Sequence, residues 1–460
     1  MRLRFEEGTL VLRDYCDQEV PSPFVWDARV DLYRAQAHFY RDAIAFFRAR
    51  DIAVDNAAPR YRTLDLSLGQ TPALHPHQRE SLDAWEQHQR RGIVVLPTGA
   101  GKSLVALHVL QSVQRSALVV VPTIDLMNQW YDLLTQSFSC PIGLLGGGYH
   151  ELADLTVSTY DSAYMHMERY GNRFGLLVYD EVHHLPGEMY SHSAEMSIAP
   201  YRLGLTATPE PSDGRHVLLD ALVGPIAYEK GIRPLSGEYL SEYRIERRQV
   251  DMVAEERVAY EAARQTYREF LEEKNIRMGT KNGWRRFVQL SSTSSAGRRA
   301  MLAYRTHRQL ALGTTAKLRV LEDILKSHPR DRVLVFANDN QTVYQIARQF
   351  LVPAITHQTR TKERKHILEK FNRGDYLALV TSKVLNEGVN MPEANVAVVL
   401  SGSATIREHV QRLGRILRRR QGKRAILYEV ISSNTVEERM SERRGRHEAY
   451  NAQSEDERAS

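Results

Sequence analysis

The stretch that decides the fold is Pro97-Thr98-Gly99-Ala100-Gly101-Lys102-Ser103, set between Ile93-Val94-Val95-Leu96 and Leu104-Val105-Ala106-Leu107. An apolar run, a glycine-rich turn and a second apolar run read as buried strand, tight loop and helix. Gly99 and Gly101 let the backbone turn its N–H groups inward, at the positive end of the following helix, where they suit a triphosphate. In that reading Thr98, Gly99, Ala100, Gly101, Lys102 and Ser103 cradle ATP. Lys102 reaches the β- and γ-phosphates and the Ser103 hydroxyl holds Mg²⁺. Leu96 stands where the usual pattern opens with a glycine.

Working outward, residues 93 to about 230 alternate apolar runs with helical segments, as in a parallel sheet. Candidate strands are 93–96, 117–121, 155–158, 176–179 and 202–205. In a doubly wound sheet the loops after them share one edge, where ligands bind. The fourth strand ends in Asp180-Glu181-Val182-His183-His184. An acidic pair in that position completes a phosphate-loop site, with Asp180 in the Mg²⁺ shell and Glu181 polarising the attacking water. His183 and His184 lack the spacing of a metal pair, so His183 is expected to couple or hydrogen-bond. Thr206-Ala207-Thr208 follows the next strand and places hydroxyls of Thr206 and Thr208 where they link hydrolysis to another surface. About twenty residues before the loop, the Gln78 amide can donate to and accept from an adenine edge at once.

The remaining chain bounds the function. At 460 residues three or four domains are expected, and 42% hydrophobic content allows sizeable cores. The net charge of +6 permits nucleic acid as a partner. Two cysteines, Cys16 and Cys140, support neither a disulfide framework nor a CxxC metal site. With no apolar signal core and no apolar run near a membrane span, a cytosolic protein is expected. At the N-terminus Leu3/Phe5 and Leu10/Leu12 alternate around Glu6-Glu7-Gly8 as a hairpin, and Tyr33, Ala37, Tyr40, Ile44 and Phe47 recur at helical spacing. Residues 55–69 read as a weakly patterned linker. Residues 274–321 hold eleven Lys or Arg and no Asp or Glu, with Trp284, Phe287 and Tyr304 among them. Basic side chains neutralise phosphates and aromatic faces stack on bases, so DNA contact is expected there through Lys281, Arg285, Arg286, Arg298 and Arg299. A second alternating region has candidate strands 332–336, 377–381, 396–400 and 425–430 but no second phosphate loop. It carries instead Gln411-Arg412-Leu413-Gly414-Arg415-Ile416-Leu417-Arg418, whose Arg415 and Arg418 share a helix face and suit a γ-phosphate developing charge. From about residue 437 the chain reads as a mixed-charge tail.

Taken in order, PTGAGKS, DEVH, TAT and QRLGRILR resemble the motifs of a superfamily 2 helicase or translocase core. DEVHH at 180–184, VSTYDSAY at 157–164, MSIAPYRLGLTATPE at 196–210 and AITHQTR at 354–360 resemble the XPB helicases in their short prokaryotic form. The resemblance implies an α/β fold: two RecA-like parallel-sheet domains, a small N-terminal α+β domain and a helical thumb-like insertion. Its boundaries are 1–60 for a damage-recognition-like domain, 70–240 for the ATP-binding domain, 250–310 for the basic thumb and 311–450 for the arginine-finger domain. It implies that Gln78 reads adenine and that Pro122, Thr123, Gln129, Trp130, Ser158, Thr159 and Tyr160 contact the DNA backbone. Asn386, Glu387 and Gly388 link DNA to ATP, and Gln411, Arg415 and Arg418 act as γ-phosphate sensor and arginine fingers. The Arg-Glu-Asp motif of the family falls on Pro211, Ser212 and Asp213, which bears on strand separation more than on hydrolysis. The expected function is an ATP- and Mg²⁺-dependent DNA helicase or double-strand translocase, 3′ to 5′, in nucleotide excision repair. Duplex or forked DNA is the substrate, and the protein is a monomer with a Bax-type nuclease as candidate partner. The alternatives are the motor subunit of a restriction-type nuclease and a DNA-loading platform with little unwinding.

Overall fold

The fold is that of a computed structural model describing residues 1–14, 20–69, 72–187, 189–208, 216–241, 243–280, 282–382, 394–401, 425–438 and 441. The sequence expectations at Cys16, Pro211 to Asp213, Lys281, Asn386 to Gly388, Gln411, Arg415 and Arg418 lie outside these residues. The chain is α/β and divides into one unit ending at Leu235 and another beginning at Ser236. Among the described residues no helix is long and apolar enough to cross a membrane.

The first unit starts with a five-stranded sheet in the order β3-β4-β2-β1-β5, with β1 at Arg2–Glu6, β2 at Thr9–Arg13, β3 at Val25–Asp27, β4 at Leu32–Gln36 and β5 at Asp55–Asn56. The expected hairpin is present. Glu7 (φ 46°) and Gly8 (φ 73°) form its two-residue turn, and both central residues are left-handed as the strand twist demands. A side chain at Gly8 would put its Cβ 2.8 Å from Met196 Cγ, so this turn lies directly on the next domain. The helical stripe is shorter than expected: Tyr33 belongs to β4, Ala37 to a short 3₁₀ turn, and helix α1 runs only over Tyr40–Ala49. Leu3, Leu10, Leu12, Ala43 and Phe47 pack with Ile198 of the following domain into one cluster.

The linker is a correction. Residues 58–69 form an extended strap laced to the parallel-sheet domain. Arg60 N donates to Asn172 O, Arg62 N to Ser116 Oγ, Leu64 N to Gln114 O and Gly69 N to Ser137 O. The Gln114 amide closes on both backbone groups of Leu66, and Leu66 itself is buried.

The parallel-sheet domain follows the expected alternation. Its elements are α2 (Pro76–Gln87), β6 (Arg91–Val95), α3 (Lys102–Val113), β7 (Ala117–Val121), α4 (Ile124–Ser137), β8 (Ile142–Gly146), β9 (Tyr149–Glu151), β10 (Leu155–Thr159), α5 (Tyr160–Tyr170), β11 (Leu176–Asp180), α6 (His192–Glu195), β12 (Tyr201–Thr206), α7 (His216–Leu222) and β13 (Ile226–Glu229). Strand order is β13-β6-β12-β11-β7-β10-β8-β9, parallel except for the terminal β9. Central strands read as continuous apolar runs because helices cover both faces. Arg202 is fully buried in β12; its guanidinium donates to the carbonyls of Ala194, Ser197, Ala199 and Leu222. Four main-chain oxygens thus take up a charge that burial alone makes costly.

The second unit has a six-stranded parallel sheet, β14-β19-β18-β15-β17-β16. It comprises β14 (Tyr243–Val250), α8 (Ala254–Glu273), α9 (Gly283–Ser292), α10 (Ser295–Gly313), α11 (Thr315–Ser327), β15 (Val333–Phe336), α12 (Asn340–Phe350), β16 (Ala354–Ile355), α13 (Thr361–Arg373), β17 (Ala378–Thr381), β18 (Val396–Val399) and β19 (Ala425–Ser432). Helices α8, α9 and α10 form their own small bundle around Phe270, Ile276, Phe287 and Ala300. Two expectations about the basic stretch change here. Phe287 is fully buried and offers no stacking face, and the half-buried Tyr304 packs against Tyr267 at 5.1 Å between ring centres, so both rings hold the bundle together; Trp284 is the exposed one. Lys317 is also no surface charge. It is 1% exposed, donates to Leu400 O, and pairs with Glu437 Oε2 at 2.5 Å. Glu437 is equally buried and accepts from Ser432 N, so the chain at 437 is core and not tail.

Removing one member of this pair leaves a charge in the core, which costs about 3–5 kcal/mol, whereas removing both leaves none. Glu437→Leu is therefore expected to lower the thermal midpoint strongly, and Lys317→Met with Glu437→Leu to recover much of the loss. Thermal melts of the wild type, the single and the double variant check this; a double variant worse than the single refutes it.

Candidate nucleotide and magnesium site

Three adjacent strands, β6, β12 and β11, bring the expected residues to one edge. Val95 is in register with Thr206, and Leu205 with Asp180. Because the strands are parallel, the phosphate loop, the Thr206–Thr208 turn and the acidic pair all leave at the same end.

The loop is built as its glycines require. Gly99 (φ 91°) and Gly101 (φ 85°) are left-handed, and Gly101 is the N-cap of α3. The left-handed backbone at Gly101 favours glycine, and a Cβ there would sit 2.2 Å from Gln78 Nε2 and displace that amide from the loop. Lys102 reaches across the loop to Leu96 O at 3.1 Å. Gln78 lies beside the loop, buried, at N3 of α2. Its Oε1 accepts from His75 N at 2.9 Å and its Nε2 donates to Ala100 O at 2.9 Å. His77, which sequence reasoning passed over, brings Nε2 to the same carbonyl at 3.0 Å. Burial lowers the His77 pKa, which keeps the ring neutral. One loop carbonyl is thus held by two side chains of α2. The only signal for His77 was its adjacency to Gln78.

Asp180 is 7% exposed at the end of β11. Its Oδ1 accepts from Glu181 N at 3.0 Å and its Oδ2 from Trp130 Nε1 at 2.8 Å. Glu181 has φ 50°, a left-handed conformation that non-glycine residues hold only when their surroundings enforce it. His183 Nδ1 lies 3.2 Å from Thr206 Oγ1 and 3.5 Å from Glu181 Oε2. The single Thr206 hydroxyl proton goes to Thr208 O, while Thr208 N donates back to Thr206 Oγ1. Thr206 Oγ1 is therefore an acceptor toward His183, whose Nδ1 carries the proton. The expected coupling residues His183, Thr206 and Thr208 form one hydrogen-bonded chain in the β12 turn, and its His183 end lies against the Glu181 carboxylate.

The set fits a magnesium nucleotide. A left-handed glycine cradle turns N–H groups toward phosphates, and a serine hydroxyl in the first turn of α3 and one buried carboxylate with oriented oxygens are the oxygen ligands that Mg²⁺ takes beside substrate phosphates. Among the described residues no three His, Cys, Asp or Glu side chains cluster as in an all-protein metal cage, and this mode of binding needs none.

The expected DNA contacts separate. Pro122 and Thr123 follow β7, and Thr123 caps α4 by accepting from Leu126 N at 3.2 Å. Thr159 ends β10 at 6% exposure and caps α5, with its hydroxyl engaged by Ser162. Trp130 and Tyr160 are buried beneath this edge and bond to the acidic pair, so they are not backbone contacts. Arg285, Arg286, Arg298 and Arg299 are exposed on α9 and α10 of the second unit.

Comparison with known proteins points to one family. Residues 3–58 match the Xeroderma pigmentosum group B helicase damage recognition domain, 71–211 the Type III restriction enzyme res subunit, and 316–420 the helicase conserved C-terminal domain. The chain is similar to a DNA 3'-5' translocase XPB2 of Sulfurisphaera tokodaii, 39% identical over 91% of this chain and 95% of the relative. It is 31% identical to a DNA 3'-5' helicase XPB of Kineococcus radiotolerans over 80% of this chain, and spans 61% of that longer relative. The helicase domain of Hef from Pyrococcus furiosus shares the fold, with a TM-score of 0.54 at 17% identity over 80% of this chain and 97% of that one. With PTGAGKS, DEVH and TAT on one sheet edge and this identity over nearly its whole length, the chain belongs to the XPB family of superfamily 2 helicases and translocases.

Proposed function

We propose that the chain is a DNA-dependent ATPase that drives 3′–5′ translocation on, or opening of, duplex or forked DNA in repair. The observation that carries the reading is the edge where Lys102, Asp180, Glu181 and the His183–Thr206 chain meet, together with the similarity to a relative named for translocation.

ATP enters with adenine toward Gln78 and its phosphates in the Gly99–Ser103 cradle. Gln78 and His77 hold Ala100 O, so the loop is shaped before the phosphates arrive. Ser103 and Asp180 are the residues to hold Mg²⁺, which when bound neutralises charge on the phosphates and leaving group. Lys102 adds a second positive charge. Glu181 orients the attacking water and takes its proton, and His183 aligns that carboxylate against Thr206. We assign Gln411, Arg415 and Arg418 the charge that develops on the transferred phosphoryl group, and Glu387 and Gly388 the link to DNA; these rest on the resemblance. Exposed basic residues on α9 and α10 bind phosphates without reading sequence. A monomer and a Bax-type nuclease partner are further parts of the proposal, and sedimentation with and without such a nuclease tests both.

Glu181→Gln keeps the shape and removes the base. Hydrolysis stimulated by forked DNA is expected to fall by about 10²–10⁴-fold with nucleotide binding retained. Turnover equal to wild type overturns the assignment. Changing Arg285, Arg286, Arg298 and Arg299 to Glu is expected to weaken DNA binding on every sequence and to flatten the dependence of log affinity on log salt, by about one unit of slope per lost contact. An unchanged slope places the DNA elsewhere.

A further inference from the structure

Two aromatic donors converge on the acidic pair from helices that belong to neighbouring strands. Trp130 lies almost two turns into α4, 2% exposed, and its indole N–H meets Asp180 Oδ2 at 2.8 Å. The other carboxylate oxygen accepts the Glu181 N–H at 3.0 Å, so these two donors fix the carboxylate plane. Tyr160 opens α5 and is 1% exposed; its hydroxyl donates to Asp180 O at 3.1 Å and lies 3.4 Å from Glu181 O. Those carbonyls flank the left-handed turn at Glu181. Burial raises the phenol pKa well above its usual range, so the hydroxyl remains a donor. Strand β7, which feeds α4, pairs with both β11 and β10, and β10 feeds α5. The acidic pair is therefore clasped through side chains by the two helices that start beside it.

A phenylalanine at position 160 would fill the core as well, and so would a benzothiophene in place of the Trp130 indole. The polar atoms are what packing does not require. Buried indole N–H and phenol O–H groups need partners, but here both partners belong to Asp180 and Glu181 out of the whole surrounding sheet.

We propose that Trp130 and Tyr160 are positioning residues of the nucleotide site, Trp130 aiming the Asp180 carboxylate at magnesium and Tyr160 holding the Glu181 turn, so that α4 and α5 set the alignment of the acidic pair. The inference rests on the reading of Asp180 as the magnesium carboxylate and of Glu181 as the base. It replaces the DNA-contact role that the sequence resemblance gave these two residues. It also supplies a path by which a load on the start of either helix alters hydrolysis.

The test measures binding of N-methylanthraniloyl-ATP to the full chain by anisotropy, in EDTA and across a magnesium titration, beside steady-state hydrolysis. Trp130→Phe is expected to raise the magnesium midpoint about tenfold, the scale of losing a group that orients a metal ligand, while binding in EDTA stays at the wild-type level. Benzothienylalanine at position 130 keeps the indole shape without its N–H, and is expected to give the same shift even if phenylalanine loosens the core. Tyr160→Phe is expected to lower kcat at saturating magnesium with KM for ATP retained. A magnesium midpoint that both position-130 variants leave unchanged, or that falls in step with binding in EDTA, overturns the role of Trp130; unchanged kcat in Tyr160→Phe overturns that of Tyr160. Wild-type nucleotide binding that ignores magnesium overturns the underlying reading of Asp180 and the inference with it.

Discussion

The chemistry at this edge depends on strand register. Backbone hydrogen bonds set Val95 opposite Thr206 and Leu205 opposite Asp180. A slip of one residue in either ladder would turn each side chain to the opposite face. The buried runs on β6, β11 and β12 make such a slip expensive, so the apolar core is what aligns a lysine, a carboxylate and a threonine hydroxyl. The polar groups on top of it are contiguous: the Thr206 hydroxyl meets the His183 ring, the ring lies 3.5 Å from the Glu181 carboxylate, and the Glu181 backbone N–H meets the Asp180 carboxylate. In a low-dielectric setting such a chain is worth more than its separate bonds.

Much of this edge was legible in the sequence, for a physical reason. Chemistry-bearing residues of an α/β sheet sit where apolar runs stop, so PTGAGKS, Asp180-Glu181 and Thr206-Ala207-Thr208 announced themselves by position. The side chains that hold them did not. Trp130 and Tyr160 lie in helices, and which way they point depends on how α4 and α5 roll against the sheet. Only packing fixes that roll. The same limit applies to the basic stretch. Composition counted Lys317 with Arg298 and Arg299, yet one faces the core and a buried glutamate over a hundred residues away, and the others face solvent. Phe287 and Tyr304 misled for the same reason, since an aromatic between arginines reads alike as a base platform and as the core of a small bundle.

Strand β14 escaped sequence reasoning for a different cause. Tyr243–Val250 is an edge strand with Arg244, Glu246 and Arg248 on one side, where Arg248 meets Glu246 at 2.9 Å, and only Ile245 and Val250 buried. Charged edges deter strand addition, and in doing so they remove the apolar alternation by which a strand is recognised. Arg247 turns the other way to Glu429, which is buried in β19.

The strap over residues 58–69 has a consequence for how this protein can vary. Most of its hydrogen bonds run from its own main chain to Asn172, Gln114, Ser116 and Ser137, and these rungs do not ask what side chain the strap carries; the Thr63 hydroxyl, which accepts from Arg115, and the buried Leu66 are the exceptions. Along these rungs the segment is more sensitive to count than to spelling. Substitution at Arg60, Arg62 or Leu64 leaves every rung in place, whereas one inserted or deleted residue puts all later rungs out of step. The N-terminal sheet is thus tethered at a measured distance, and drift at exposed positions of the tether costs little so long as its length is kept.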